Sequence, residues 1–268
     1  AVSTSVRPVR PWINVLSNPG FGAQLSEAGS GYTWAVNSRL NQLTAWSNDP
    51  VADPPAEWFL LQDRRTSEVW SVAPNAWSAP GAQYLIRHGL GYSVISHHRG
   101  DLEVRVTWCV DARTSVKQVK LVIINQGQKT QHLRIVAMAE WLMGANRADR
   151  NTVHTACHQN RLSAGSLTVL LASQRERAAG FGEGTAFLCM ADPGDSMEDW
   201  TCDRREWIDR QGQPVLPDHW GQRSGSGLDP CAAMASQMEL AAGASGERVF
   251  LLGYAENRAA AIQLATLS

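Results

Sequence analysis

Apolar and polar residues alternate along much of the chain, most clearly in the segment DLEVRVTWCV. The apolar positions of this segment are Leu102, Val104, Val106, Trp108 and Val110, and the polar positions between them include Glu103, Arg105 and Thr107. Successive side chains of a strand point to opposite faces, so a period of two predicts a strand with one buried face.

Two further segments, VKQVKLVIIN and HLRIVAMAEW, continue the pattern on either side of the turn NQGQKTQ around Gly127. A short Gly-containing turn between two alternating segments is typical of a β-hairpin. We therefore expect these two segments to pair with each other, with their apolar sides facing a core.

The rest of the chain is predicted to be mostly strand as well. Short apolar segments bounded by Gly, Ser, Asp or Pro recur at SLTVLLAS, GTAFLCMA, SQMELAAG and GERVFLLGYA. A helical turn is conceivable in SQRERAAGFGEG, and AENRAAAIQLATLS is the one clear helix. Many strands separated by turns indicate one large, all-β, antiparallel sandwich or barrel, too large for an immunoglobulin module.

Length, charge and cysteine content limit the classes of protein to which the chain can belong. The chain has 268 residues, of which 44% are hydrophobic and 18% charged, and its formal net charge is −1. This length supports a large core, and the neutral charge without a basic cluster argues against nucleic acid as a partner. Five dispersed cysteines without a CxxC pair are typical of reduced thiols, which points to the cytoplasm.

One stretch has a different character from the strands. Residues 29–55, GSGYTWAVNSRLNQLTAWSNDPVADPP, combine flat aromatic side chains with amides, an arginine and aspartates. Aromatic faces suit the C–H faces of sugar rings, and the polar groups suit their hydroxyls. The candidates are Tyr32, Trp34, Asn37, Arg39, Asn41, Gln42, Trp46, Asn48 and Asp49. The alternative is that they form cross-strand aromatic pairs and cap loops within a sandwich.

The remaining motifs do not define a catalytic site, and no metal or cofactor is expected. The segment HTACH contains His154, Cys157 and His158, but its flanks indicate a strand and loop rather than a metal-binding helix. His97 and His98 are expected to be solvated near a hairpin tip. The glycines of GFGEGT indicate a turn, and CDRREW indicates a surface ion-pair cluster or an arginine fork for an anion or a sugar.

Read as a whole, the chain resembles a known family. The segments PWINVLSNPGFGAQLSEAGSGYTWAVNSRLNQLTAWSNDPVADPP, RTSEVWSVAP, IRHGLGYSVISHH, VKLVIINQG, AEWLMG, CDRREWIDRQG, GSGLDPCAAM and RVFLLGYA are similar, in this order, to the family of cellobiose and chitobiose phosphorylases. The likeness is greatest to the phosphorylase-like part of cyclic β-1,2-glucan synthases (glycoside hydrolase family 94). In that family this region is a β super-sandwich of galactose-mutarotase type, followed by a helical linker and a catalytic (α/α) barrel.

The resemblance implies a division of the chain and a role for it. Residues 1–255 would form the super-sandwich, and residues 256–268 would start the linker to a barrel that lies outside this sequence. The barrel would carry the general acid of an inverting phosphorolysis, so the chain would be a noncatalytic, carbohydrate-binding-type domain of an enzyme whose whole chain could be membrane-associated. Its implied partners are a β-glucan saccharide, the barrel of the parent chain and a second copy in a homodimer.

The implied saccharide-binding residues are Trp34, Asn37, Arg39, Trp46, Asn48 and Asp49. Three other functions are compatible with the sequence: a free-standing lectin-like module, a purely structural domain, and a mutarotase-like epimerase. The epimerase would need a His/Glu acid–base pair, which no motif identifies.

Overall fold

The protein folds into two large antiparallel β-sheets packed face to face, as a computed structural model shows. The structure describes residues 8–49, 51–162, 165–176, 184–191, 197–209 and 215–267. The antiparallel all-β architecture predicted from the alternation and the super-sandwich implied by the resemblance are therefore confirmed. The glycines of GFGEGT and the centre of SQRERAAGFGEG lie largely outside the described residues.

The strands of the first half of the chain are β1 (Ile13–Asn18), β2 (Phe21–Ser26), β3 (Gly31–Ala35), β4 (Gln42–Thr44), β5 (Glu57–Asp63), β6 (Val69–Ser71), β7 (Tyr84–Gly89), β8 (Tyr92–Arg99), β9 (Leu102–Val110) and β10 (Val116–Asn125). Those of the second half are β11 (Gln131–Gly144), β12 (Val153–Leu162), β13 (Gly165–Gln174), β14 (Thr185–Met190), β15 (Met197–Asp203), β16 (Pro230–Leu240) and β17 (Ser245–Ala255). Two 3₁₀-helices span Arg147–Thr152 and Arg204–Glu206. Helix α1 (Arg258–Leu267) is the single α-helix of the described residues, and none of their helices combines the length and apolar character that a membrane crossing requires.

One sheet has eight strands and the other has nine. The eight-stranded sheet has the order β12-β13-β14-β17-β10-β9-β8-β7. The nine-stranded sheet follows the path β1-β2-β3-β4-β11-β16-β15, and the pair β5-β6 joins it through β11. The β9 segment alternates as the sequence predicts, since Leu102, Val104, Val106 and Trp108 are all buried in the core.

The hairpin predicted between β10 and β11 is wrong. β10 pairs with β9 and β17 in the eight-stranded sheet, whereas β11 pairs with β4, β5 and β16 in the nine-stranded sheet. The turn around Gly127 therefore crosses from one sheet to the other. The apolar sides of both strands do face the core between the sheets, because alternation specifies the buried face of a strand but not its hydrogen-bonding neighbour.

Apolar side chains also cover the outer faces of both sheets. On the eight-stranded sheet, Ala261 and Ala265 of α1 pack against the outer side chains of β13, β14 and β17. On the nine-stranded sheet, Trp207 and Trp220 pack against β5, β11 and β16. The buried guanidinium of Arg134 holds the covering segment in place, because its Nη1 donates to the carbonyl of Pro217 at 2.5 Å.

A buried ion pair joins the two sheets. Lys117 of β10 occupies an inward position of its strand, and its Nζ donates to the Glu57 carboxylate and to the Thr33 hydroxyl, the latter at 2.5 Å. The hydroxyls of Thr33 and Thr44 donate to the same carboxylate at 2.6 and 2.9 Å. Each charge is thus neutralised and hydrogen-bonded, as burial requires.

A second buried polar group is His97, which was expected to be solvated. The side chain is only 2% exposed, its Nε2 accepts the indole N–H of Trp70 at 3.2 Å, and its ring lies 4.5 Å from that of Tyr84. The neighbouring His98 is exposed, because adjacent strand residues face opposite sides. Burial, with smaller effects from His98 and Arg99, lowers the pKa of His97 to about 3.

We expect Lys117→Met to lower the free energy of unfolding by about 3–5 kcal/mol, because the Glu57 charge would stay buried without its partner. Urea denaturation at neutral pH measures this. Lys120→Met is the matched control, since Lys120 lies in the same strand and forms an exposed pair with Glu247 at 2.7 Å. The control should lose no more than about 1 kcal/mol. Equal losses in the two variants would contradict the role assigned to the buried pair.

We expect the stability contributed by the neutral His97 ring to fall as pH decreases from about 6.5 towards 3. The unfolded chain binds a proton over this range and the folded protein does not, so the slope is about 1.4 kcal/mol per pH unit. His97→Gln removes this titration and can still accept the Trp70 N–H, so urea denaturation from pH 7 to pH 4 should show a shallower loss. His98→Gln, the exposed neighbour, should follow the wild-type curve.

Candidate functional site

The candidate site lies on the outer face of the nine-stranded sheet. Along β11, Trp141 faces the core, so Glu140 and Leu142 on either side of it face outward. Trp207 and Trp220 cover the neighbouring part of this face, but Glu140 lines an open groove, and a second groove adjoins the first at Trp46. Both grooves combine ligand-sized space with polar side chains.

The first groove, which we call the arginine groove, has a volume of about 390 Å³. It lies between the end of β11, the segment after β4, the segment before β5 and the two 3₁₀-helices. Its lining includes Trp46, Pro55, Glu140, Arg147, Arg150 and Arg204. It therefore opens where β11 changes neighbour, from β5 along Leu133–Ala139 to β4 at Trp141 and Gly144.

Three charged lining residues at the base of this groove, Glu140, Arg150 and Arg204, form a cluster with Asp229. Arg150 Nη2 donates to one oxygen of Asp229 at 2.6 Å, and Arg204 Nε donates to the other at 2.8 Å. The Nη1 atoms of the same two arginines lie 3.7 and 3.5 Å from Glu140 Oε2. Burial, assisted by the nearby Asp229, raises the pKa of Glu140 above its usual value, against the opposing effect of the two arginines.

The second groove, which we call the aromatic groove, has a volume of about 710 Å³. Its lining includes Arg10, Ile13, Gln24, Trp46, Asn48 and Asp49. Trp46 is 41% exposed and lines both grooves. Tyr32 holds the indole by stacking against it, with ring centroids 5.3 Å apart and planes 17° from parallel.

The structure brings together three of the six predicted saccharide residues. Trp46, Asn48 and Asp49 line the aromatic groove. Trp34 does not line this groove, but its ring centroid lies 5.2 Å from that of Tyr32, the residue that stacks on Trp46. It packs over Gly22, where any side chain would collide with the indole. Asn37 and Arg39 are exposed in the loop between β3 and β4, outside the lining of either groove.

Two of the six residues also have a structural role. Asn37 Oδ1 accepts the backbone N–H groups of Arg39 and Leu40, and Asp49 Oδ1 accepts those of Val51 and Ala52. The latter two hydrogen bonds lower the pKa of Asp49. These oxygens cap turns, which is the loop-capping alternative that the sequence left open.

The charged base of the arginine groove was not predicted from the sequence. Glu140 stands in the strand segment HLRIVAMAEW, and Asp229 is far from it in the chain. The motif CDRREW did point to an ion-pair cluster, and its two arginines are indeed paired, Arg204 with Asp229 and Arg205 with Asp203 at 2.8 Å. The available signal was an acidic residue at an outward position of the otherwise apolar run IVAMAEWLM.

Unusual backbone conformations border the grooves. Met143, Asn48 and Asp53 have φ angles of 52°, 50° and 39°. Met143 lies within the irregular pairing between β11 and β4, and Asn48 and Asp53 line the aromatic groove. Non-glycine residues with positive φ are uncommon and tend to occur at functional sites.

The HTACH segment does not form a metal site. It lies in β12, where four residues span roughly 13 Å, so His154 and His158 cannot share an ion. His154 Nδ1 instead lies 3.0 Å from the hydroxyl of Ser226. Across the described residues, no three His, Cys, Asp or Glu side chains are placed to hold a metal.

The fold is that of galactose-mutarotase-like proteins. A galactose mutarotase related enzyme from Lactobacillus acidophilus superposes with a TM-score of 0.55 over 91% of this chain and 97% of its own, at 7% identity. A bacterial glucoamylase complexed with acarbose matches with a TM-score of 0.56 over 99% of this chain and 36% of its own, at 9% identity. These likenesses define the class of fold.

Sequence comparison is more specific. The model of the glycosyl hydrolase 94 supersandwich domain matches residues 1–267, and the chain belongs to this family. A cyclic β-(1,2)-glucan synthase from Rhizobium meliloti is 32% identical over 256 residues, 92% of this chain. An N,N′-diacetylchitobiose phosphorylase from Vibrio proteolyticus is 27% identical over 141 residues, 52% of this chain. The matched regions are 9% and 18% of those proteins, so both relatives are much longer than this chain.

We expect Asp229→Asn to lower the pKa of Glu140, because it removes a nearby negative charge and frees both arginines to approach the glutamate. An NMR titration of the side-chain carboxyl carbons would measure this. Glu239→Gln, an exposed position later in β16, is the control and should leave the Glu140 titration unchanged. An unchanged Glu140 pKa in Asp229→Asn would show that the two carboxylates are not coupled.

Proposed function

We propose that this chain is a noncatalytic saccharide-contacting domain of a larger glycosyl hydrolase 94 enzyme that acts on a β-glucan. The observation that carries the proposal is Trp46, an exposed indole held between two grooves that each contain polar side chains. The family membership and the names of the longer relatives support the class of substrate.

The aromatic groove has the mixed character that a sugar requires. The Trp46 ring offers a flat apolar surface for the C–H face of a pyranose, and stacking on Tyr32 fixes its orientation. Gln24, Asn48 and Asp49 supply donors and acceptors for hydroxyl groups from the same lining. Cavities of this size, largely apolar with a few polar groups, are typical of small-molecule sites.

The noncatalytic part of the proposal is supported by the absence of histidine from both linings. All seven histidines lie within the described residues, and none lines either groove. A mutarotase-type His/Glu pair is therefore not formed there. Glu140 is the one carboxylic acid among the lining residues of the arginine groove. The general acid of the parent enzyme would then belong to the barrel implied by the resemblance.

Other expectations stay predictions. They are the assignments of Trp34, Asn37 and Arg39 to saccharide binding, the contact with a helical barrel and the homodimer. Val15, an exposed apolar side chain of the edge strand β1, is compatible with packing against the barrel or against a second copy, since exposed apolar surface favours association.

We expect Trp46→Ala to weaken the binding of a β-linked disaccharide at least fivefold, since loss of an aromatic stacking surface corresponds to about 1 kcal/mol. Isothermal titration calorimetry with cellobiose, sophorose and N,N′-diacetylchitobiose measures this on the chain as it stands. Trp12→Ala is the matched control, because Trp12 is 69% exposed and lines neither groove. Equal affinities of Trp46→Ala and the wild type, or no binding of any of the three sugars, would refute the proposal.

A further inference from the structure

The arginine groove contains an incompletely satisfied carboxylate. Arg150 and Arg204 make short hydrogen bonds to Asp229, at 2.6 and 2.8 Å, but their Nη1 atoms stay 3.7 and 3.5 Å from Glu140. These two contacts are longer than N–H···O hydrogen bonds, which cluster near 2.9 Å. The Trp58 indole also interacts with Glu140, but a carboxylate can accept about four hydrogen bonds. Acceptor capacity therefore remains at the base of the groove.

The charges at this base are balanced. Arg150 and Arg204 face two carboxylates, Glu140 and Asp229, so the four side chains sum to zero when all are ionised. Arg147 is exposed at the rim and has no ion pair within the described part of the chain. An anionic ligand would have to displace or approach Glu140 and Asp229, whereas a neutral hydroxylated ligand would not. Within this four-residue cluster the balance favours a neutral ligand, while the exposed Arg147 adds one positive charge to the rest of the lining.

A hydroxyl group fits the gap between these side chains chemically. It can donate its hydrogen to the carboxylate of Glu140 and accept a hydrogen bond from a guanidinium N–H at the same time. The side chain of Glu140 is 15% exposed, so it remains accessible from the groove. The groove volume of about 390 Å³ lies in the range of small-ligand sites, and Trp46 forms one wall.

We infer that the arginine groove is a subsite for one neutral sugar ring, whose hydroxyl groups bridge Glu140 and the Nη1 atoms of Arg150 and Arg204. The inference rests on the proposed saccharide-binding function and extends it from the exposed face of Trp46 to a specific polar subsite. It also assigns a ligand-contacting role to Glu140, an otherwise unexplained charge on the outer face of β11.

The subsite should be sensitive to pH. The groups that face Glu140 are Arg150 and Arg204 from the two 3₁₀-helices, Asp229 before β16 and Trp58 of β5, with Arg147 at the rim. Burial raises the pKa of Glu140, and the bridging hydroxyl needs the ionised carboxylate as acceptor. Affinity should therefore be constant at high pH and fall as pH drops through this raised pKa, above the range in which an ordinary glutamate is protonated.

The test is calorimetric binding of sophorose to the wild type, Glu140→Gln and Ala45→Phe, at several pH values. Glu140→Gln removes the charged acceptor and should weaken binding about tenfold or more and abolish the pH step. Ala45→Phe fills the groove without changing any of its charged groups and should weaken binding similarly. Glu68→Gln is the matched control, because Glu68 also pairs with an arginine, Arg99, but lines neither groove. Thermal unfolding verifies that each variant is folded. If Glu140→Gln does not fold, the binding measured with Ala45→Phe decides the outcome.

The outcomes separate this inference from the proposed function. Binding that depends on Trp46 but not on Glu140 or Ala45 would overturn the subsite and leave the proposed function standing. No binding of any saccharide would overturn both. Inorganic phosphate and glucose 6-phosphate serve as anionic probes. If either competes with sophorose in the wild type but not in Arg150→Gln, the groove is an anion site and the neutral-sugar inference is wrong.

Discussion

The nine-stranded sheet depends on one strand that must satisfy three neighbours. β11 pairs with β16 along one edge and, along the other, first with β5 and then with β4. Two strands cannot occupy the same edge at the same place, so the backbone has to change partner near Glu140, where the Glu140 N–H donates to the Ala56 carbonyl at 2.8 Å. The irregular pairing that follows includes Met143 with positive φ. The arginine groove opens at this point, so the topology of the sheet itself creates the site.

Apolar side chains fill the space between the two sheets, and a few buried polar contacts join the sheets across it. Lys117 reaches across to Glu57, Thr33 and Thr44, and His97 accepts the N–H of Trp70. Such groups are tolerated because each has a partner, and removal of one partner leaves a buried charge or donor unsatisfied. These polar contacts specify which strands of the opposing sheets face one another. Apolar side chains alone specify this arrangement only weakly. The core between the two sheets lies behind the outer face that carries the grooves and holds its strands in place.

The two grooves combine ligand-sized space with polar side chains that the fold holds in place. Trp46 separates a groove with amide and carboxylate side chains from one with a balanced arginine–carboxylate cluster. The short 3₁₀-helices position Arg150 and Arg204, and Asp229 holds both arginines from the start of β16. Turn-capping by Asp49 gives the loop beside Trp46 a defined shape. These features preorganise the polar groups before a ligand arrives, which lowers the entropic cost of binding.

The sequence by itself determined the class of fold, the buried faces of strands such as β9, and the segment in which Trp46, Asn48 and Asp49 meet. These properties are local, because alternation, turn residues and aromatic content can be recognised within ten to thirty residues. The tertiary structure alone decided that β10 and β11 belong to different sheets, that His97 is buried beside Trp70, and that Glu140 meets Asp229 from a strand far away in the chain. Periodicity shows that a face is buried but not which element buries it, and β10 and β11 each have a hydrogen-bonding partner that is distant in sequence, β17 and β5. Contacts of that kind exist only once the two sheets have assembled.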